Sequence, residues 1–373
     1  MNTFGRTIGL TIFGESHGLS IGAVLDGLPS GEAIDWDAVR AEMARRAPGK
    51  NKMSYILPVL ISAAACPNTT PSFEVQSGFF NGHTTGTPLC AIIRNSDQHS
   101  RDYDQLRHIM RPGHADYSGK IRYGGFNDYR GGGHFSGRLT APLVFAGAVA
   151  SQILARHGIT IGSHILRLAG IADKPFDAAG ETAETLQALK KETLPVLDKA
   201  QAGPMEEKIL EAKNDLDSVG GVIECMVTGL PAGIGDPFFD SVESQLSHMM
   251  FSVPAVKGIE FGDGFALADL RGSQANDAFY YDGDAVKTRT NHNGGINGGI
   301  TNGMPVVFRL AVKPTASISQ KQETIDTDTQ ENCDLVIKGR HDPCIVQRAI
   351  PVVEAAAAWA ILDVCLSEKG RCW

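Results

Sequence analysis

A glycine-rich, basic stretch at residues 111–138 holds the chain's densest set of anion-binding groups. Eight of its 28 residues are glycine, five are Arg or Lys, two are His and only two are Asp. Glycine lets backbone N–H groups approach a ligand closely, and successive N–H groups form concavities that bind anions. Arginine adds forked donors that suit phosphate and carboxylate. No apolar period of two or 3.6 runs through it, so it is expected to be a loop and neither an ordinary strand nor a helix. The stretch therefore predicts a site for a multiply anionic small molecule; the alternative is a solvated loop without a ligand.

Three shorter motifs combine polar side chains with glycine or proline. Residues 13–18 read FGESHG and place Ser16 and His17 at the end of a predicted strand. Residues 313–317 read KPTAS and put a Lys and small hydroxyl side chains at the end of another strand. In residues 339–344, GRHDPC, the proline holds Asp342 extended, so that its carboxylate projects. Each motif is placed to contact a ligand, although a turn histidine bonded to the backbone is an equal interpretation of His17.

Cations cluster after the first predicted helix. Arg45 and Arg46 lie in its last turn, and Lys50 and Lys52 follow it. One interpretation is that they stabilise the negative end of the helix dipole. The other is that they form a basic rim that binds a phosphate.

Convergence of these motifs would bring together several cations, two or three histidines and one carboxylate. Histidine donates or accepts a proton near neutral pH, so the set favours proton transfer beside a bound anion. The glycines leave room for a flat or phosphorylated cofactor. A metal-dependent hydrolase using His17, His114, His134 and Asp342 is a second hypothesis, but the chain has no HxH or HExxH spacing, and nearby arginines repel metal ions. A non-catalytic nucleotide-binding module is a third, although a P-loop and a strand-linked GxGxxG are both missing.

Short strands and apolar helices must position these motifs. Amphipathic helices at 181–192 and 204–217 are interpreted as solvated faces of a connecting segment. Pro351 is predicted to open a buried, alanine-rich helix. No linker interrupts residues 1–373, so a single domain is expected. The remaining pattern predicts strands at 7–13, 54–63, 88–94, 220–227 and 304–314, and helices at 35–47, 140–156 and 241–250.

Charge and composition disfavour several classes of protein. A formal charge of −8 disfavours bulk nucleic-acid binding, and no apolar run reaches membrane-spanning length. The seven cysteines are odd in number and form no CxxC pair, so neither a disulfide framework nor a structural zinc site is indicated. The N-terminus has no apolar core typical of a signal peptide. We expect a cytoplasmic enzyme without a metal, a membrane or a nucleic-acid partner.

Six segments together resemble the chorismate synthase family. They occur in the family's order and spacing over almost the whole chain, which is far more specific than one glycine-rich match. The segments are FGESHG at 13–18, RPGHADYSGKIRYG at 111–124, DYRGGG at 128–133, GGINGGITNGMP at 294–305, KPTASI at 313–318 and GRHDPC at 339–344.

The resemblance implies an enzyme that eliminates phosphate from 5-enolpyruvylshikimate 3-phosphate to form chorismate, the last common step of the shikimate pathway to aromatic amino acids. The elimination is 1,4-anti and requires reduced FMN, although no net redox change occurs. Reduced flavin would lend electron density as phosphate leaves, and its N5 would help to remove the C6 hydrogen. Another flavin-dependent phosphate lyase on a related phosphorylated carboxylate is the alternative. The electron source stays open between an external reductant and NADPH used by the enzyme itself.

The resemblance also implies an α+β fold, a β-α-β sandwich of antiparallel sheets with helices packed between them, and a homotetramer. The predicted strands and helices are compatible with that architecture. By themselves they would equally allow a Rossmann-like sheet.

Site residues are carried over from the family motif by motif. His17 would donate a proton near the substrate phosphate, His114 would protonate or stabilise the reduced flavin around N1, and Asp342 would assist proton removal through N5. The substrate-binding residues would be Ser16, Arg46, Lys52, Arg111 and Arg138. The flavin contacts would be His134, Phe135, Ser136, Pro254, Ala255, Gly298, Lys313, Pro314, Thr315, Ala316, Ser317 and Arg340.

Two departures from the family pattern fall where flavin is contacted. The family's RSSAR after the three glycines is HFSGR at 134–138 here, and its Asn-Ala before the VKG segment is Pro254-Ala255. Since His134 replaces a cation, flavin affinity is expected to depend on pH. In addition, Lys52 stands where Arg is common, which predicts weaker binding there.

Overall fold

Two five-stranded antiparallel sheets enclose a layer of helices. The computed structural model describes residues 2–47, 73–95, 107–337 and 341–368. Its helices are α1 (Trp36–Arg46), α2 (Asp116–Arg122), α3 (Thr140–Arg156), α4 (Ala183–Leu189), α5 (Ala202–Asn214), α6 (Val242–Met250), α7 (Gly272–Ala275) and α8 (Val346–Ser367). Its strands are β1 (Thr3–Phe4), β2 (Gly9–Gly14), β3 (Ser20–Asp26), β4 (Phe73–Ser77), β5 (Phe79–Phe80), β6 (His83–Thr84), β7 (Leu89–Arg94), β8 (Thr160–Leu168), β9 (Ile171–Ala172), β10 (Gly221–Thr228), β11 (Val256–Phe261), β12 (Phe279–Asp282), β13 (Ala285–Thr288), β14 (Ile296–Asn297), β15 (Ile300–Thr301), β16 (Val306–Val312), β17 (Lys321–Asp326) and β18 (Glu331–Val336).

The first sheet has the strand order β1-β2-β3-β7-β4. Alternate residues of β3 (Ile21, Ala23 and Leu25) are buried, because side chains of a strand point to opposite faces in turn and one face covers the helices. In the β2–β3 pair Gly14 lies opposite Ile21. The polar residues 15–18 therefore leave the sheet as the turn between its second and third strands.

The second sheet has the order β11-β16-β10-β8-β9, with β10 at its centre. Most residues of β10 are buried, as expected for a strand covered on both faces. Helix α8 contacts β8 and β10, and α4 contacts β8. Residues 173–198 therefore belong to the packing of this sheet and not to a solvated connection.

Helices α3 and α8 pack together between the two sheets. A Cβ atom on Gly147 of α3 would lie 2.2 Å from Cα of Ala355 in α8, so glycine is needed for this close approach. Helix α3 contacts β2, β3 and β7 of the first sheet, and α8 contacts the second. The predicted α+β sandwich of antiparallel sheets with helices between them is thus confirmed.

Two helical segments are long and apolar enough to cross a membrane by length and composition alone. One is α3 together with the turns before it (130–156), and the other is α8. Most of the residues in each apolar window are buried inside the fold. Their apolar surfaces are covered by the two sheets and by each other, as in core helices.

Several local predictions are confirmed and others are wrong. Helix α3 has the predicted bounds, and Asp35 caps α1 by accepting from the N–H groups of Asp37 and Ala38. Helix α8 begins at Val346, so Pro351 lies inside it and does not open it. The burial of this helix offsets the hydrogen bond that proline cannot donate. The strand predicted at 54–63 lies outside the described residues.

The stretch at 111–138 was expected to have no regular structure, yet α2 forms within it. No apolar period predicts this helix. Its charges do match the helix dipole, because Asp116 lies in the first turn and Lys120 and Arg122 lie in the last.

Candidate active site

A cavity of about 1160 Å³ opens beside the first sheet. That volume exceeds the roughly 300–1,000 Å³ of most small-molecule sites, so it has room for more than one ligand. It is lined by residues of β1 and β2, the 111–138 stretch, the segment from α6 to β11, the end of β16 and the start of α8. Among the described residues that line it, every charged side chain is basic: Arg111, Arg138, Lys257 and Lys313.

Three successive glycines join the 13–18 motif to the basic stretch. Residues 131–133 have φ values of 59°, 82° and 54°, in the left-handed region that side chains rarely adopt. A Cβ atom on Gly131 would lie 2.6 Å from Nε2 of His17. The backbone N–H of Ser16 donates to the carbonyl of Gly133 at 3.1 Å, and Arg138 donates to the carbonyl of Ser16 at 2.8 Å. Any side chain at Gly131 would displace His17 from the cavity wall.

His114 is held against the other cavity wall. Its Nε2 lies 2.7 Å from Oγ of Ser317, and Lys313 donates to the carbonyl of Gly113 at 2.6 Å. Burial, and next the charge of Arg111, lower the pKa of His114 to about 4. The imidazole is therefore neutral at pH 7 and carries no charge into the cavity.

The two arginines of the 111–138 stretch that line the cavity differ in their partners. Arg111 is buried and makes a bidentate pair with Asp116, with N–O distances of 2.7 and 2.8 Å. Its position is fixed and its charge is partly offset. Arg138 donates instead to a backbone carbonyl, which leaves its positive charge to act on a ligand.

Arg46 lies directly behind the cavity wall. It donates from Nε to Oγ1 of Thr140 at 2.9 Å and from Nη2 to the carbonyl of Gly137 at 2.8 Å. Burial, and next the charges of Arg348 and Arg138, lower the pKa of Arg46 to about 9. An anion in the cavity would relieve this concentration of positive charge.

The segment that opens α8 completes the wall. His341 lines the cavity, and its buried Nε2 has no hydrogen-bond partner within the described part of the chain. Burial, and to a lesser degree Arg111, lower the pKa of His341, so it too is neutral at pH 7. The next residue, Asp342, forms an ion pair with Arg348 of α8.

The structure brings most predicted site residues to this one cavity. Ser16 is buried next to His17, and Asp342 follows His341 without lining the cavity itself. Gly298 lies in the turn between β14 and β15 and is not part of the lining. Lys52 and Arg340 lie outside the described residues. Those that line the cavity are His17, Arg111, His114, His134, Phe135, Ser136, Arg138, Pro254, Ala255, Lys313, Pro314, Thr315, Ala316 and Ser317.

Some residues of the site were missed in the sequence. Lys257 and His248 line the cavity, and Arg348 stands behind it. The signal for Lys257 was its place in the VKG segment next to Pro254. Neither His248 nor Arg348 carries a recognisable motif, because each lies in a helix with other roles.

The cavity fits a flat, phosphorylated cofactor. Two buried polar atoms of its lining, Oγ1 of Thr315 and Nε2 of His341, have no partner among the residues that the structure describes, which is unusual unless a ligand supplies one. Phe135 presents an exposed aromatic ring, and the basic side chains suit a phosphate. No group of three or more His, Cys, Asp or Glu side chains that could hold a metal ion occurs in the part of the chain that the structure describes.

An α+β sandwich with histidines and cations around one deep cavity defines an enzyme that acts on a small anionic molecule. Comparison with known proteins identifies the family within this class of enzyme. The family model described as chorismate synthase matches residues 8–366. The chain therefore belongs to the chorismate synthase family, whose members are carbon–oxygen lyases of the shikimate pathway that leads to aromatic amino acids. Enzymes of this family use reduced flavin, and their substrate is a small molecule.

Individual relatives agree over nearly the full length. The chain is 44% identical over 375 residues to chorismate synthase of Chitinophaga pinensis, covering 99% of this chain and 98% of the relative. It is 43% identical over 370 residues to the enzyme of Dehalococcoides mccartyi, covering 98% and 96%. A crystal structure of chorismate synthase matches with a TM-score of 0.75 at 27% identity, covering 98% of this chain and 94% of the other.

Proposed function

We propose that the protein converts 5-enolpyruvylshikimate 3-phosphate into chorismate and inorganic phosphate, with reduced FMN bound in the same cavity. The observation that carries this proposal is the meeting of His17, His114 and residues 313–317 around one cavity whose described charged lining is entirely basic. Fixed positive charge stabilises a leaving phosphate most effectively where water is excluded.

Arginine and lysine side chains would bind the substrate's anionic groups. Arg138 and Lys313 face the cavity, while Arg111 is held rigid by Asp116. Arg46 adds positive charge from behind the wall, and we propose Lys52 as a further substrate-binding residue. A bound substrate with a phosphate and carboxylates would supply the negative charge that the described lining does not contain.

His17 would donate a proton to the departing phosphate. It is only 7% exposed and lies against Gly131, so its ring is held at the cavity edge with little freedom. Burial of this kind excludes competing water from the proton transfer. Ser16, which is buried beside it, would help to bind the substrate.

His114 would hold or donate a proton at the flavin edge near N1. Nε2 of His114 and the hydroxyl of Ser317 form a hydrogen bond of 2.7 Å, so the serine fixes the orientation of the ring. When bound, reduced flavin supplies electron density to the substrate as the carbon–oxygen bond breaks. Negative charge beside His114 would raise its low pKa and turn it into a proton donor.

Asp342 would assist removal of the substrate proton. Asp342 directly follows the cavity-lining His341 in the sequence, and its carboxylate forms an ion pair with Arg348. The flavin itself would be contacted by Arg340 and by the groups at 134–136, 254–255 and 313–317. A contact from Gly298 stays a prediction from the family motif, because Gly298 does not line this cavity.

We further propose a single domain over residues 1–373, a homotetramer and a cytoplasmic location. Exposed aromatic residues support self-association: Phe238 and Phe239 are each 89% exposed, and Phe265 is 83% exposed. Light scattering tests the tetramer, and a single unfolding transition tests the single domain. Reduction of bound FMN by NADPH in the absence of other proteins would decide whether the enzyme generates its own reduced flavin.

The function is tested by anaerobic phosphate release from 5-enolpyruvylshikimate 3-phosphate with dithionite-reduced FMN. We expect equal amounts of phosphate and chorismate, no reaction with oxidised FMN, and no net consumption of reduced flavin. Phosphate release only from a different phosphorylated carboxylate would favour the alternative, another flavin-dependent phosphate lyase.

A further inference from the structure

Arg348 is a partly buried arginine at the start of α8 that contacts residues of the proposed site. It lies in the first turn of α8, where its neighbours Val346, Ala349 and Ile350 are buried in the core. Its own side chain contacts Asp342 and the end of α1 and does not line the cavity. The packing of α8 thus gives this guanidinium a rigid base.

The guanidinium joins two residues of the proposed site. Nη1 of Arg348 donates to Oδ2 of Asp342, and Nε donates to the backbone carbonyl of Arg46 at 3.2 Å. The side chains of Arg348 and Asp342 are 22% and 13% exposed, so solvent screens their attraction less than it would at the surface. One side chain therefore fixes Asp342 relative to the end of α1.

The end of α1 is itself anchored to the cavity wall. The side chain of Arg46 donates to Thr140 and to the carbonyl of Gly137, both of which line the cavity. A continuous set of hydrogen bonds thus runs from the carboxylate of Asp342 through Arg348 and Arg46 to the wall. Breaking it at Arg348 would remove this charge-assisted contact from the carboxylate.

We propose that Arg348 is a positioning residue for the elimination, which acts by holding the carboxylate of Asp342 in place. This inference rests on the proposed role of Asp342. It differs from an ordinary stabilising ion pair because its loss affects turnover through one named carboxylate.

The chain offers a closely matched control in Arg156. This arginine, in the last turn of α3, also pairs with a carboxylate (Glu32) and donates to a backbone carbonyl (Ala33). It is not part of the cavity lining or of the contacts described above. Comparing Arg348→Ala with Arg156→Ala separates the loss of an ion pair from the loss of a positioning contact.

The experiment measures kcat and KM anaerobically with reduced FMN for Arg348→Ala, Asp342→Asn, the double variant and Arg156→Ala. We expect Arg348→Ala to lower kcat by about 10- to 100-fold with little change in KM or FMN affinity, since a small misplacement of a reacting group costs that much. The double variant is expected to be no slower than Asp342→Asn, because both substitutions remove one shared effect. Added guanidinium ion should restore part of the rate of Arg348→Ala and none to Asp342→Asn, while Arg156→Ala keeps wild-type kcat.

Arg348→Lys keeps the test valid if the alanine variant does not fold. The ammonium group of lysine can reach Asp342 but cannot also donate to the carbonyl of Arg46 as the forked guanidinium does. We therefore expect kcat of Arg348→Lys to lie between those of wild type and Arg348→Ala. Thermal unfolding of each variant shows whether the rate follows stability.

The outcomes distinguish this inference from the proposed function. A slow Asp342→Asn together with a normal Arg348→Ala and Arg348→Lys would overturn only the role of Arg348. A normal Asp342→Asn would overturn the proposed role of Asp342 and the inference with it. Rate losses in the double variant that multiply those of the single variants would show that Arg348 acts by another route, which also contradicts the inference.

Discussion

His114 at the cavity and His164 in the second sheet are both buried, yet their surroundings move their pKa values in opposite directions. Burial and the nearby Arg111 lower the pKa of His114 to about 4. Burial also opposes the charge of His164, but hydrogen bonds to Asp173 and Glu224, at 3.0 Å each, outweigh it and raise its pKa. The same side chain is thus neutral in one place and favours its charged form in the other.

The pairing around His164 extends across the whole sheet. His164 of β8 lies opposite Glu224 of β10, which lies opposite Arg309 of β16, which lies opposite Glu260 of β11. Charges of opposite sign therefore alternate along this row of directly paired positions. Asp173 closes the row at one end and accepts the N–H groups of residues 197 and 198, at 2.6 and 2.9 Å. The network fixes the segment before α5 to the sheet.

The cavity shows the reverse arrangement. Its described charged lining is all basic, and Thr315 and His341 each keep a buried polar atom that no described residue contacts by a hydrogen bond. Buried polar atoms without a hydrogen-bond partner destabilise the folded protein unless a ligand supplies that partner. The difference indicates that the second sheet is built for stability and the cavity for an anionic ligand.

The largest expected effect is that of removing His114, the histidine at the cavity. His114→Ala should fold normally and bind FMN, but lose turnover by about 10²–10⁴-fold, the usual contribution of a general acid or base. Phosphate release and FMN fluorescence titration measure the two properties. Wild-type turnover would contradict a proton role for His114.

Substitution of His164, in the second sheet, should lower stability and leave turnover nearly unchanged. His164→Ala would remove the side chain that hydrogen-bonds to both Asp173 and Glu224 and would leave these buried carboxylates with less positive charge nearby, at a cost of about 3–5 kcal/mol in the free energy of unfolding. Urea denaturation measures this loss, and kcat of the protein that remains folded should change little. Lys208→Ala removes an exposed ion pair with Glu211 and serves as the control, with an expected loss of about 0–1 kcal/mol. Equal losses in the two variants would contradict the structural role of the row.

The sequence allowed the helices of the core to be predicted better than their arrangement. The bounds of α3 were predicted because an apolar run ends at His157-Gly158, where a helix can stop. The start of α8 was misplaced because proline is a common but not a required first residue. The pairing of β3 with β7, or of β10 with β16, depends on contacts between distant parts of the chain that no local pattern encodes.

The same limit applies to the site. Composition alone indicated an anion site at 111–138, but contacts such as that between His17 and Gly131 join residues more than a hundred positions apart. Only the resemblance to a family brought these motifs together in advance. The row at His164 was not foreseen at all, since its signal is a single charged residue within each of several strands.

A smaller effect concerns pH and stability. Because the pKa of His164 is raised on folding, its contribution is fully present below the unfolded value of about 6.5 and is lost as pH rises through the folded value. The pKa of Asp173 is lowered, despite its burial, by hydrogen bonds that include His164, so its contribution is lost only as pH falls through that lowered value. Wild-type protein should therefore lose stability relative to His164→Ala on raising the pH above about 6.5. Parallel curves of unfolding free energy against pH for the two proteins would be inconsistent with a raised pKa.

The smallest effect concerns His134, whose Nδ1 donates to the carbonyl of Gly14 at 2.9 Å and which stands where the family has a cation. His134→Arg would place a permanent positive charge at this position, so FMN, with its anionic phosphate, should bind more tightly to this variant than to His134→Gln, which carries no charge. A single partly exposed charge contributes about 1 kcal/mol at most, so the expected difference is about five-fold. FMN fluorescence titration of the two variants measures it, and the glutamine variant is the matched control because its side chain can still form hydrogen bonds. If the two variants bound FMN equally, a charge at position 134 would not contribute to flavin affinity, and the departure from the family pattern at this position would have no effect on the cofactor.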